Sequence, residues 1–182
     1  MSFPQKPEKL LERIVLASSN PGDLVLDPFC GYGTTAAVCS KNDRRWITID
    51  LGPQQIEISK RRLEKINTIG LNPFKVLTDA NLVEDVTKYN YLIHGECLDV
   101  MKILIAKGIR VDLIYADPPF NTGQRFDSGF VDKFPSIKDY MAWLRPRSEA
   151  MRDILKDTGS LYHHCDYRTN AHVRLMLDEV LP

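Results

Sequence analysis

Apolar positions along this chain recur at two different periods. Leu10, Leu11, Ile14 and Val15 fall at helical spacing behind Pro7 and Glu8, which predicts a helix to about Ser18 that Asn20-Pro21-Gly22 ends. Asp23 to Phe29 reads as a strand, and Cys30-Gly31-Tyr32-Gly33-Thr34-Thr35 turns it into an Ala-rich helix. Arg45 to Asp50 is a second strand; Pro53 then opens a helix with Ile56, Ser59, Leu63 and Ile66 on one face. Tyr91 to Glu96 is a third strand, followed by a short helix through Met101 and Leu104. Val111 to Asp117 is a fourth, and Pro118-Pro119 forces the chain out of the sheet in extended form. A helical region kinked near Pro146 spans Ile137 to Leu155. Gly159 to Asp166 makes a fifth strand, and Thr169 to Val180 a last helix with Val173, Leu175, Met176 and Val180 as its apolar positions. The pattern weakens over 67–90, a linker with room for one short element, and over 121–135, an exposed loop.

Strands alternating with helices imply an α/β fold with a mostly parallel sheet, cut short after its fifth strand. A length of 182 residues fits one domain. The formal net charge is zero and so points to no nucleic-acid partner, although a basic face could sit within a balanced total. Cys30, Cys39, Cys97 and Cys165 form no CxxC pair, which argues against zinc and a disulfide framework and for reduced thiols. Without a signal-peptide apolar region or a membrane-length run, the chain reads as cytoplasmic.

Chemistry concentrates at four strand ends. The turn at Gly31 and Gly33 lets a ligand approach the backbone at a helix amino terminus, without the full phosphate fingerprint. Asp50 ends the second strand about twenty residues on, where such folds bind ribose hydroxyls. A nucleoside site lacking a phosphate signature suits S-adenosylmethionine as well as a dinucleotide. For the former, Asp27 would face the ammonium, and Phe29 or Tyr32 would lie near the sulfonium or adenine. Glu96 reads either as an adenine contact or as a solvated strand-end acid. Asp117-Pro118-Pro119-Phe120 presents an acid, a rigid elbow and a ring to a flat, amine-bearing substrate. Acceptance of both N–H bonds of an exocyclic amino group, by Asp117 and a carbonyl near Pro118, favours a pyramidal nitrogen whose lone pair aims at a methyl donor. His163-His164-Cys165-Asp166 alternates across a strand, so four convergent metal ligands are not expected. Lys60-Arg61-Arg62, Arg145, Arg147 and Arg152 read mainly as solvated faces, with phosphate contact as the alternative, and Trp46 and Trp143 as packing residues rather than base-stacking platforms.

In Gln5 to Ile14, Leu26 to Thr35, Arg44 to Asp50, His94 to Leu98, Tyr115 to Gly123, Ser160 to Asp166 and Leu175 to Val180, the chain resembles the amino-group DNA methyltransferases, adenine-N6 or cytosine-N4, of the beta group. The resemblance implies a Rossmann-like, S-adenosylmethionine-dependent methyltransferase fold. It assigns Gln5, Lys6, Pro7, Asp27, Pro28, Phe29, Cys30, Gly31, Gly33, Thr34, Thr35, Asp50, Glu96 and Cys97 to the cofactor, and Asp117, Pro118, Pro119 and Phe120 to the catalytic pocket. An aspartate at the head of that tetrapeptide, where cytosine-N4 enzymes usually carry serine, implies adenine. The group normally places its catalytic block first; here 1–66 is the cofactor half and 91–182 the catalytic half, with 67–90 as the join of a rearranged chain. DNA is the implied substrate. No target-recognition region is visible, so a second chain or a homo-oligomer would supply recognition or complete the sheet. The alternatives are an RNA or tRNA guanine-N2 methyltransferase, and a cofactor-binding fragment dependent on a partner.

Overall fold

The computed structural model describes residues 6–66, 73–124 and 132–181. Its strands are β1 (Leu24–Asp27), β2 (Arg45–Asp50), β3 (Phe74–Leu77), β4 (Asn90–His94), β5 (Val111–Ala116) and β6 (Leu155–His163). They form one sheet in the order β3-β4-β2-β1-β5-β6, with every neighbouring pair parallel. The helices are α1 (Glu8–Ser18), α2 (Thr34–Lys41), α3 (Pro53–Ile66), α4 (Cys97–Ala106), α5 (Ile137–Ile154) and α6 (Asn170–Val180).

Both faces of the sheet are covered, so the central strands are buried throughout. Val25, Trp46, Leu92, Leu113 and Tyr115 pack on one side with Leu11 and Val15 of α1, Val38 of α2 and Leu63 of α3. Their alternate neighbours Leu26, Ile47, Ile49, Ile93 and Ile114 pack on the other with Met101 and Leu104 of α4 and Met151 of α5. The sheet grows one way from β1 through β2 to β4, then resumes on the far side of β1 at β5. Right-handed crossovers therefore place helices on opposite faces before and after the reversal, and open a crevice above β1 and β5. α6 completes a smaller cluster, in which Val173, Met176 and Val180 meet Tyr140 and Leu144.

Several expectations need correction. The described part of 67–90 is more than a linker: Phe74 to Leu77 adds an edge strand beside β4, and Ala80–Leu82 forms a 3₁₀ turn. The sheet thus has six strands among the described residues rather than five. With only four residues and half-exposed side chains, β3 carries too little apolar alternation to be read in advance. The last strand, β6, begins at Leu155 and ends at His163, leaving Cys165 and Asp166 beyond it. On α6, Leu175 is exposed rather than in the core. The helical region expected around Pro146 is present as α5, which holds that proline inside it.

Candidate active site

Four adjacent strands each deliver a carboxylate to the same end of the sheet. Glu96 follows β4, Asp50 ends β2, Asp27 ends β1 and Asp117 follows β5. All four line a cleft of about 1140 Å³. Neighbouring strands lie roughly 5 Å apart, so four bare charges would repel strongly. Each acid is compensated in a different way.

Glu96 caps α4: one oxygen accepts from the Leu98 and Asp99 backbone N–H groups, and the other accepts the Arg147 guanidinium at 2.6 Å. Burial pushes this carboxyl up, but the Arg147 hydrogen bonds and charge outweigh it and hold it below the usual range. Arg147 also donates to the Trp143 carbonyl and lies 4.0 Å from the Trp143 ring centre. It is therefore a buried brace rather than a solvated cation. Asp50 accepts the Gly31 N–H at 2.7 Å through one oxygen and the Gly52 N–H at 2.8 Å through the other. Burial pushes its carboxyl up, against the pull of those N–H groups.

Asp27 is 3% exposed; its oxygens accept the Thr35 hydroxyl at 2.5 Å and the Phe29 N–H at 3.0 Å. Burial raises its pKa to about 7, with the charges of Asp117 and Asp50 acting in the same direction. Asp117 has one cation and one ring nitrogen at hand: Lys6 Nζ lies 3.3 Å from Oδ1, and His164 Nδ1 lies 3.0 Å from the same oxygen.

The glycine turn is tied to its surroundings by backbone. Gly31 has φ +53° and open space where a side chain would stand, facing the cleft. Gly33 also has a positive φ, and a Cβ there would meet Ser59 of α3 at 3.0 Å, so this glycine serves helix packing. Ser59 donates to the Gly31 carbonyl at 3.0 Å, and Arg62 donates to the Tyr32 carbonyl, also at 3.0 Å. Arg62 also pairs with Glu8 of α1, so it braces the turn from behind and is not a solvated cation.

On the other side, Phe120 and the prolines lead into a loop fastened by Asp132. Asn121, at φ 60°, and Thr122 donate their N–H groups to the two Asp132 oxygens at 2.7 and 3.0 Å. The Asn121 side chain accepts the Phe134 N–H at 2.8 Å. Asp132 is 2% exposed, so the stretch read as an open loop is anchored at its base.

The cleft brings together Lys6, Asp27, Pro28, Phe29, Cys30, Gly31, Thr34, Thr35, Asp50, Glu96 and Cys97 with Asp117, Pro118, Pro119 and Phe120. Pro7 is not on its wall; its carbonyl starts α1 by accepting from Leu10. Gly33 stands behind the wall, and Gln5 lies outside the described residues. Trp143 lines the cleft and meets Phe29 with ring centres 6.1 Å apart, a position its isolated place on a helix did not signal. Burial pushes the Cys30 and Cys97 thiols up to about 12, which makes them packing groups. His163 is held neutral by burial, its pKa down to about 4, and no metal-binding cluster occurs among the described residues.

Fold and site together define a doubly wound α/β domain with an acid-lined ligand cleft at its switch point. A profile of the DNA methylase family matches residues 3–61 and 111–181, and the chain belongs to that family. It is 55% identical over 60 residues to the DNA adenine methyltransferase YhdJ of Escherichia coli, a match covering 33% of this chain and 20% of that protein. It is 52% identical over 63 residues to the type II methyltransferase M2.DpnII of Streptococcus pneumoniae, covering 35% and 24%. The matches thus span only a fifth to a quarter of these relatives. In overall shape the chain is similar to the SAM-dependent methyltransferase of Agrobacterium tumefaciens, with a TM-score of 0.63 at 16% identity over 96% of this chain and 48% of the other. No helix among the described residues is long and apolar enough to cross a membrane.

Proposed function

We propose that this protein transfers a methyl group from S-adenosylmethionine to the exocyclic amino group of a DNA base, most favourably adenine N6. The observation that carries this reading is the meeting of two blocks in one cleft, Asp27 to Asp50 on one wall and Asp117 to Phe120 on the other. YhdJ, similar over 60 residues, is a DNA adenine methyltransferase, which supports the choice of base.

The donor's chemistry is that of a sulfonium, which makes its methyl carbon open to attack by a nitrogen lone pair. The residues present suit this ligand. A row of acids at the sheet end favours a molecule bearing ammonium and sulfonium charge, and the open face at Gly31 admits it close to the backbone. Asp50 has lone pairs left for ribose hydroxyls beyond its two backbone bonds. Asp27 receives the ammonium in this reading, and the Thr35 hydroxyl it accepts supports its ionised form. Asp117 accepts an N–H of the target amine, Phe120 stacks on a base that has left its duplex, and Pro118-Pro119 keep both groups in register.

Two measurements test the reading. Titration calorimetry should show saturable binding of S-adenosylmethionine, and no heat up to millimolar ligand overturns the cofactor half. Asp117→Ala should bind cofactor normally yet abolish methyl incorporation into DNA; retained incorporation removes Asp117 from its role.

A further inference from the structure

We propose that His164 is a positioning residue for Asp117, holding one carboxylate oxygen so that the other is presented to the target amino group. The proposal deepens the methyl-transfer reading and rests on it for the identity of the amine.

The geometry begins in the backbone. The His164 N–H donates to the Ala116 carbonyl at 2.9 Å, which carries the β5–β6 pairing one step past His163 and anchors the ring beside the elbow. From there Nδ1 reaches Asp117 Oδ1 at 3.0 Å, and the ring meets Phe120 at a near-perpendicular 69°, with centres 5.0 Å apart. One side chain therefore touches both the acid and the ring of the acceptor pocket. Lys6 forms an ion pair with the same oxygen at 3.3 Å and lies 5.2 Å from the Phe120 ring centre. Oδ2 of Asp117 has no hydrogen bond among the described residues.

The two oxygens are thus unequal. A carboxylate free to rotate about its Cβ–Cγ bond would exchange them; donors fixed on Oδ1 prevent that and leave Oδ2 to accept the amine. His164 sets this geometry more firmly than Lys6, because a flat ring braced against Phe120 has fewer rotamers than a four-carbon stem. A neutral imidazole with its proton on Nδ1 supplies the bond without placing new positive charge beside a nitrogen that becomes positive as the methyl arrives.

The test uses the full chain. Long-range proton–nitrogen NMR at mildly alkaline pH should show the His164 proton on Nδ1, and Asp117→Ala should release the ring to a mixture of tautomers. A wild-type ring protonated on Nε2 overturns the proposal, whether or not the protein transfers methyl groups. In single-turnover assays, His164→Asn keeps a donor where Nδ1 stood, whereas His164→Gln places its amide where Nε2 stood. His164→Asn should hold its rate within a few fold of wild type. His164→Gln and His164→Ala should each lose on the order of a hundredfold in methyl transfer, with cofactor affinity and melting temperature unchanged. Equal rates for all three variants overturn the proposal. A wild-type protein that fails to methylate DNA but keeps the Nδ1 tautomer refutes the functional reading alone.

Discussion

Asp27 shows how strongly one buried carboxyl is governed by its surroundings. Its folded-state pKa is raised from 3.8 to about 7 by burial. The folded protein therefore holds this proton more tightly than the unfolded chain. The associated stability is fully present below 3.8 and is lost as pH rises through about 7. Asp27→Asn, which does not titrate, should accordingly gain stability relative to wild type across that window in urea unfolding. A cofactor ammonium favours the ionised form, so binding should tighten as pH rises towards 7 and should release a proton. Calorimetry in two buffers of different ionisation heat measures that release directly. Thr35→Val removes the hydroxyl that stabilises the ionised carboxylate and should shift the dependence to higher pH.

Between α4 and α5, a cap and an ion pair share one carboxylate. Glu96 satisfies N–H groups of α4 that have no partner within the helix, and its charge also suits that end of the dipole. The Arg147 side chain is only 11% exposed, so losing it strands an acid on the cleft wall and uncovers Trp143. Arg147→Met should cost about 2 kcal/mol in urea unfolding, below the figure for a fully buried pair because Glu96 is partly open to solvent. Glu96→Gln keeps a cap acceptor and should lose less than Glu96→Ala. This linkage also explains why neither sequence reading of Glu96 described its surroundings: its partner lies 51 residues away on another helix.

Residues 6–66 are not a separable unit of the sheet. β1 and β2 stand between β4 on one side and β5 on the other, so each half supplies the hydrogen-bonding neighbours of the other. A chain broken between Ile66 and Pro73 should therefore yield two pieces that are unfolded alone by circular dichroism and fold when mixed. Independent folding of either piece would contradict the interleaved sheet. The same topology makes the cleft, since the Asp117–Phe120 elbow meets the Gly31 turn only because β5 returns to pair beside β1.

What could be read along the chain was whatever depends on neighbours in sequence. The periodicity of Leu11 and Val15, the apolar runs of β1, β2, β4 and β5, the glycine turn and the Asp117–Phe120 elbow are local patterns, and they survive in the structure. β3 escaped because its four residues pair at an edge, where burial imposes little alternation. Only tertiary structure decided how each acid is compensated: Glu96 by Arg147, Asp50 by the Gly31 and Gly52 amides, Asp117 by Lys6 and His164. Those partners come from other elements, and neither the desolvation of Asp27 nor the reach of His164 has any signature in spacing. A carboxylate's identity is written in one residue, but its charge and direction belong to everything packed around it.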